Sequence, residues 1–233
     1  IEDVLEDDEG NYVLCGKSGP DNIELGNGIN LSQNSYESGM IIKYDSFGNV
    51  LWAQGIKGTG KNELKAISEC SDGGYITVGS LQSGSIGLGN KGSISAESPQ
   101  YASNGIVLKY DDDGKIEWGF GTRGSGDDSL DCVIETKDKN YLVTGKCTNS
   151  RIELDGNIVE NGKFENNGML IKMNSKIGMS EVQELEVENT RKEFKITTEV
   201  KKIDNVKGGT ISGEYLDVYE TVKYGDSSTK EIK

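Results

Sequence analysis

The chain has 233 residues, 32 of them glycine and 2 proline, and carries a formal net charge of −14. So acidic a surface repels phosphate backbones and anionic headgroups, which argues against nucleic acid and bare lipid as partners. There is no histidine, which removes Ser-His-Asp and Cys-His nucleophilic chemistry and histidine-ligated metal; the expectation is no enzyme and no cofactor.

In chain order, residues 1–63 carry three markers: Tyr12-Val13-Leu14-Cys15-Gly16, Ile23-Glu24-Leu25-Gly26-Asn27 and Gly39-Met40-Ile41-Ile42-Lys43-Tyr44. Residues 64–129 repeat them as Tyr75-Ile76-Thr77-Val78-Gly79, Ile86-Gly87-Leu88-Gly89-Asn90 and Gly105-Ile106-Val107-Leu108-Lys109-Tyr110. Residues 130–180 give Tyr141-Leu142-Val143-Thr144-Gly145, Ile152-Glu153-Leu154-Asp155-Gly156-Asn157 and Gly168-Met169-Leu170-Ile171-Lys172-Met173. The leading tyrosines lie 63 and 66 residues apart. Self-similarity at such a period signifies a repeat architecture.

Each unit reads as four short strands. In the middle unit, Leu64 to Glu69 precedes an Asp72-Gly73-Gly74 turn and then Tyr75 to Ser80. After a long connection come Ile106 to Tyr110, an Asp113-Gly114 turn and Lys115 to Trp118. β-Branched and aromatic runs bounded by Asp-Gly are hairpin signals, and the glycine excess is ascribed to those turns. Ile106 to Leu108 is apolar without alternation, as in a strand buried on both faces. Tandem four-stranded antiparallel units are propeller-type blades. Three are fewer than a usual closed ring, so an open arc or part of a larger propeller is expected, and the first unit starts inside its first strand.

The third unit has Glu181 where Trp52 and Trp118 align, so its fourth strand is expected to be lost. Residues from about 174 to 189 read as a linker or first edge strand. Phe194 to Val200, with clean alternation, and Val218 to Tyr224 read as strands, with a Gly208-Gly209 turn and Thr210 to Gly213 between. Residues 181–233 are expected to be an incomplete β-sandwich-like module. The whole is therefore expected to be all-β.

The segments 75–90 (YITVGSLQSGSIGLGN), 104–118 (NGIVLKYDDDGKIEW) and 119–145 together resemble the β-propeller repeats of large bacterial surface proteins, common in Gram-positive anaerobes. Residues 193–233 are similar to a module that follows such repeats. The resemblance implies a secreted or cell-wall-associated protein serving display or adhesion, with no catalytic residues to carry over. The third unit departs from it in its missing tryptophan and in Lys139-Asn140 at the place of Gly73-Gly74.

The remaining constellations have ordinary structural readings. Cys15, Cys70, Cys132 and Cys147 do not recur with the repeat and are expected to be buried free thiols, Cys132 standing opposite Gly145. Asp111 to Gly114 reads as a solvated turn, Asp127-Asp128 as a turn, and Gly121 to Gly126 as a flexible connector. Lys195, Asn205 and Glu220 are isopeptide-forming types without evidence of proximity. Trp52 and Trp118 are expected to pack between blades, with stacking on sugar rings as the alternative. The long connections Gly19 to Ser38 and Leu81 to Asn104 are the better binding candidates, each holding an ordered extra strand. The resulting expectation is a non-enzymatic scaffold for a protein or glycan ligand, without membrane insertion. A carbohydrate-binding accessory module and a structural spacer are the alternatives.

Overall fold

The computed structural model describes residues 1–19, 22–31, 37–82, 84–96, 102–124, 126–148, 151–154, 157–160, 167–175, 184–190, 193–199 and 218–223. Among them every regular element is a strand except a three-residue 3-10 turn at Gly89–Lys91. The first unit contains β1 (Asp3–Glu6), β2 (Tyr12–Ser18), β3 (Ile23–Gly26), β4 (Ile29–Leu31), β5 (Ser38–Tyr44) and β6 (Val50–Gly55). Its blade is the antiparallel sheet β1-β2-β5-β6, and β3-β4 is a hairpin inserted between second and third blade strands.

The second unit repeats this with β7 (Lys61–Glu69), β8 (Tyr75–Gln82), the hairpin β9 (Ser85–Gly87) and β10 (Ser93–Ser95), β11 (Ser103–Tyr110) and β12 (Ile116–Arg123). The third has β13 (Asp128–Glu135), β14 (Tyr141–Cys147), the hairpin β15 (Arg151–Leu154) and β16 (Asn157–Glu160), and β17 (Asn167–Met173). Its sheet is β13-β14-β17; Glu181, where a fourth strand would fall, lies outside the described residues. The fold is all-β, and no closed ring forms among the described residues. Further along, β18 (Glu184–Thr190), β19 (Glu193–Glu199) and β20 (Val218–Lys223) form a separate antiparallel sheet in that order. The acidic stretch after Lys172 thus includes an edge strand; the Gly208-Gly209 turn and Thr210 to Gly213 lie outside the described residues.

The core sits between blades. One cluster joins Val13, Cys15 and Ile41 of the first to Ile67, Tyr75, Ile106 and Leu108 of the second. Another joins Ala66, Ile76, Val78 and Val107 of the second to Val133, Tyr141, Val143 and Ile171 of the third. Ile106, Val107 and Leu108 are all fully buried, since the two faces of β11 serve two different neighbours. A blade cannot bury both faces alone, so neighbours supply most of the stabilisation.

The glycines do more than make turns. In β8, Gly79 faces the Glu63 carbonyl so closely that a Cβ there would stand 1.9 Å from the oxygen; Gly145 in β14 would stand 2.1 Å from Ser129 O. Both adjoin a bulge in the neighbouring first strand, where Lys65 and Asp131 are the extra residues. A bulge bends its strand and re-aims a side chain. Here it brings the two extra residues together across the blades, Lys65 Nζ lying 2.8 Å from Asp131 Oδ1. The same bulge moves Cys132 opposite Thr144, one residue from the expected Gly145. Cys15, Cys70 and Cys147 are buried thiols outside any disulfide, whereas Cys132 is exposed; burial pushes Cys15 and Cys70 up to about 12.

The first turn of each unit keeps one shape despite sequence drift. Gly10 and Gly73 have φ of 81° and 84°, and the aligned Lys139 has φ of 61°. A side chain in that left-handed region costs roughly 1–2 kcal/mol, partly offset by the unfolded-state freedom that glycine adds. Lys139→Gly is therefore expected to stabilise the protein by about 0.5–1 kcal/mol, read as a raised urea midpoint; a lowered midpoint contradicts the strain.

Candidate functional site

An antiparallel meander sends its connections to two opposite ends. Strands one to two and three to four are joined by tight turns, closed at Asp7 to Asn11, Asp45 to Asn49, Cys70 to Gly74 and Asp111 to Lys115 by paired backbone hydrogen bonds. The Asp111 to Gly114 run is thus a turn, its Asp111 Oδ1 accepting from Lys115 N. The opposite end carries the links to the next blade and all three inserted hairpins.

At the turn end, the lysine of the third marker is buried in the first two units and half-buried in the third. Lys43, 4% exposed, lies 3.2 Å from Asp7, 3.9 Å from Glu9 and 2.6 Å from Asp112 of the next blade. Lys109 pairs with Asp72 at 3.0 Å and Glu117 at 3.2 Å, and Lys172 with Asp138 at 2.7 Å. Burial would lower the Lys43 pKa; bonds to Asp112, Tyr75 and Asp7 outweigh it and hold the ammonium above its ordinary value. Asp7 likewise resists burial through bonds from Asn11, Tyr75 and Lys43 and stays below 3.8.

The two tryptophans belong to this same seam. Trp52 lies 6.0 Å from Tyr75 of the next blade, centroid to centroid, and its Nε1 donates to Asp112 O at 2.8 Å. Trp118 lies 5.8 Å from Tyr141 of the third. Both are half-buried, and these are contacts of blade packing. A second recurrent bond follows the period: Asp8 N donates to Glu69, and Ser71 N, one unit on, donates to Glu135.

At the hairpin end, an open cleft of about 240 Å³ lies between the first two blades, lined by Lys17, Glu37, Lys61, Glu63, Ser80 and Gln82 among others. Its charges are matched: Lys17 meets Glu63 at 2.8 Å and Lys61 meets Glu37 at 3.9 Å. The Glu63 bond holds Lys17 above its ordinary pKa. Hydrogen-bonding walls of no net charge suit a polar, uncharged surface such as peptide backbone.

The hairpins fasten neighbours. Ser85 and Gly87 flank a bridge to the tail of the preceding blade, Thr59 N donating to Ser85 O and Gly87 N to Lys57 O. In the next unit β15 pairs with the end of β12, Thr122 with Leu154 and Arg123 with Glu153. The Ile-x-Leu markers thus lie in the first strand of each hairpin, Leu88 of the second unit falling just after β9, and Gly121 to Arg123, read as connector, belong to β12. Asp127 accepts from Ser103 N and Oγ, and buried Asp128 from Thr122 Oγ1; both fix strand starts.

Sequence reasoning singled out the tryptophans and the long connections but not the lysine seam or the cleft, where the cross-blade pairs Lys17–Glu63 and Lys43–Asp112 are 46 and 69 residues apart. The recurring lysine in each third marker was the available signal. Lys195 and Glu220 fall on neighbouring strands, in register with Thr221 and Ile196, while Asn205 lies outside the described residues. Compared with known proteins, the chain matches no family model and no curated sequence.

Proposed function

We propose that the chain is a non-enzymatic recognition scaffold of a secreted or cell-wall-associated protein, presenting its hairpin end to a protein ligand. The observation that carries this reading is the asymmetry of the two ends. The turn end is closed by tight turns and buried ion pairs, whereas the inserted hairpins and the matched-charge cleft gather at the other. Loops held on a rigid scaffold are the usual place for binding. The acidic net charge and the absence of histidine support a non-catalytic role.

A panel of immobilised extracellular proteins and a glycan array test it with the purified chain. Saturable binding to a protein is expected, weakened about tenfold or more by Lys17→Glu with Lys61→Glu and unaffected by Asp113→Asn at the turn end. Cleavage of a panel member, or equal loss in both variants, would refute the reading. A glycan signal abolished by Trp118→Ala would favour the carbohydrate-binding alternative.

A further inference from the structure

The face of the first blade that looks away from the second has the make-up of an interface. Val4 is 59% exposed, whereas Ile67 and Val133, its equivalents in the next two units, are 7% and 3%. Tyr12 is 41% exposed, against 1% for Tyr75 and 2% for Tyr141. At Gly48 an added Cβ would meet open space; at Gly114, in the same turn one unit on, it would strike the Trp52 ring at 2.7 Å. The inserted hairpin already lines one side of this face, with Leu31 packed beside Met40, Ile42 and Val50.

The two internal interfaces show what covers these positions. In each, a fourth-strand tryptophan of the preceding blade lies on the tyrosine. In the first, Trp52 also lies on the turn glycine and donates its Nε1 to the carbonyl two residues before it. We propose that the outward face of the first blade seats a further blade of the same repeat, with an intact fourth strand that lays a tryptophan over Tyr12 and Gly48. Its Nε1 then donates to Ser46 O, and the Tyr12 hydroxyl to a carboxylate, as the Tyr75 hydroxyl does to Asp7 at 3.0 Å. A second copy of this chain does not supply that ring: Trp52 and Trp118 are engaged, and the third unit has Glu181 at the aligned position.

The test adds a blade to the full chain. A copy of residues 1–63, or in a second protein of residues 64–129, is joined ahead of Ile1, keeping the natural 63- or 66-residue spacing between tyrosines. Val4→Cys, with Cys132→Ser to silence the exposed thiol, reports on the face through its rate of maleimide labelling. The added blade is expected to slow labelling about tenfold or more, as burial protects a site that opens only by local unfolding. Trp52→Ala in the 1–63 copy, or Trp118→Ala in the other, is expected to restore the rate. Equal rates with and without both copies overturn the proposal, also where the copies stay unfolded, because a blade with its partner surface beside it folds on that surface. Slow labelling of the unextended chain that varies with protein concentration assigns the face to a second copy and overturns it equally.

Discussion

Gly79→Ala is expected to destabilise the protein by about 3 kcal/mol, the upper end of the usual cost of overpacking a well-packed core. The added methyl would stand 1.9 Å from the Glu63 carbonyl oxygen and 3.0 Å from Leu64 Cα, so backbone, and not a side-chain tip, has to move. That backbone is held in the β7-β8 ladder on both sides, with Leu64 opposite Gly79 and Glu63 opposite Ser80. Leu64 in turn packs on Gly39 of the first blade, its Cγ 3.2 Å from where a Cβ would be, so the displacement reaches the blade interface. Gly87→Ala is the control, because its nearest atom would be 3.7 Å away. Urea unfolding followed by tryptophan fluorescence compares the two, and equal midpoints would remove the close-approach explanation.

Lys43→Met is expected to destabilise at pH 7 by about 3 kcal/mol, the lower end of what breaking a buried ion pair from one side costs. The lower end applies because Asp7, buried and 5% exposed, keeps bonds from Asn11 N, Glu9 N and the Tyr75 hydroxyl, while Asp112 is open to water. The pH dependence follows from the directions of the shifts. Asp7 is held below 3.8 in the folded protein, so its contribution is fully present above that value and is lost as pH falls through the folded pKa. Lys43 is raised above 10.5, so its contribution is fully present below 10.5 and is lost as pH rises through the folded value. The gap between wild type and Lys43→Met should therefore be widest between these limits and narrow as the protein is acidified below pH 3.8. Paired urea titrations at pH 7 and pH 3 read it, and an unchanged gap would mean that Asp7 is not the partner that matters.

The strands were legible in the sequence because alternation and apolar runs are local. Ile106 to Leu108, buried from both sides, could be read from three adjacent letters. What escaped are features that depend on one residue or on distant ones. The extra residues Lys65 and Asp131 leave the hydrophobic pattern of β7 and β13 almost unchanged, yet they shift the pairing by one and displace Cys132 from its expected partner. The glycine excess reads as turns, yet Gly79 and Gly145 stand mid-strand and each answers a carbonyl on the neighbouring strand. The seam partners of Lys43 lie 36 residues back and 69 ahead, a distance no window spans; only the recurrence of the lysine hinted at them. At the hairpin end the markers revealed that an extra strand exists, but not that it hands its pairing back to the blade before.

That handing back bears on aggregation. The fourth strand of a blade is the edge of its sheet, a row of unpaired N–H and C=O groups able to template another chain. In β12, the last two residues are occupied by β15, and the tail that follows β6 is bridged by β9. Earlier in the same strands a bulge at Leu51 and at Glu117 breaks the flat run, the second known device for blunting an edge. Each outer edge is thus interrupted by a bulge at one end and capped by its neighbour's hairpin at the other. Strand-rich repeats can then stand side by side at high local density without zipping into cross-β stacks.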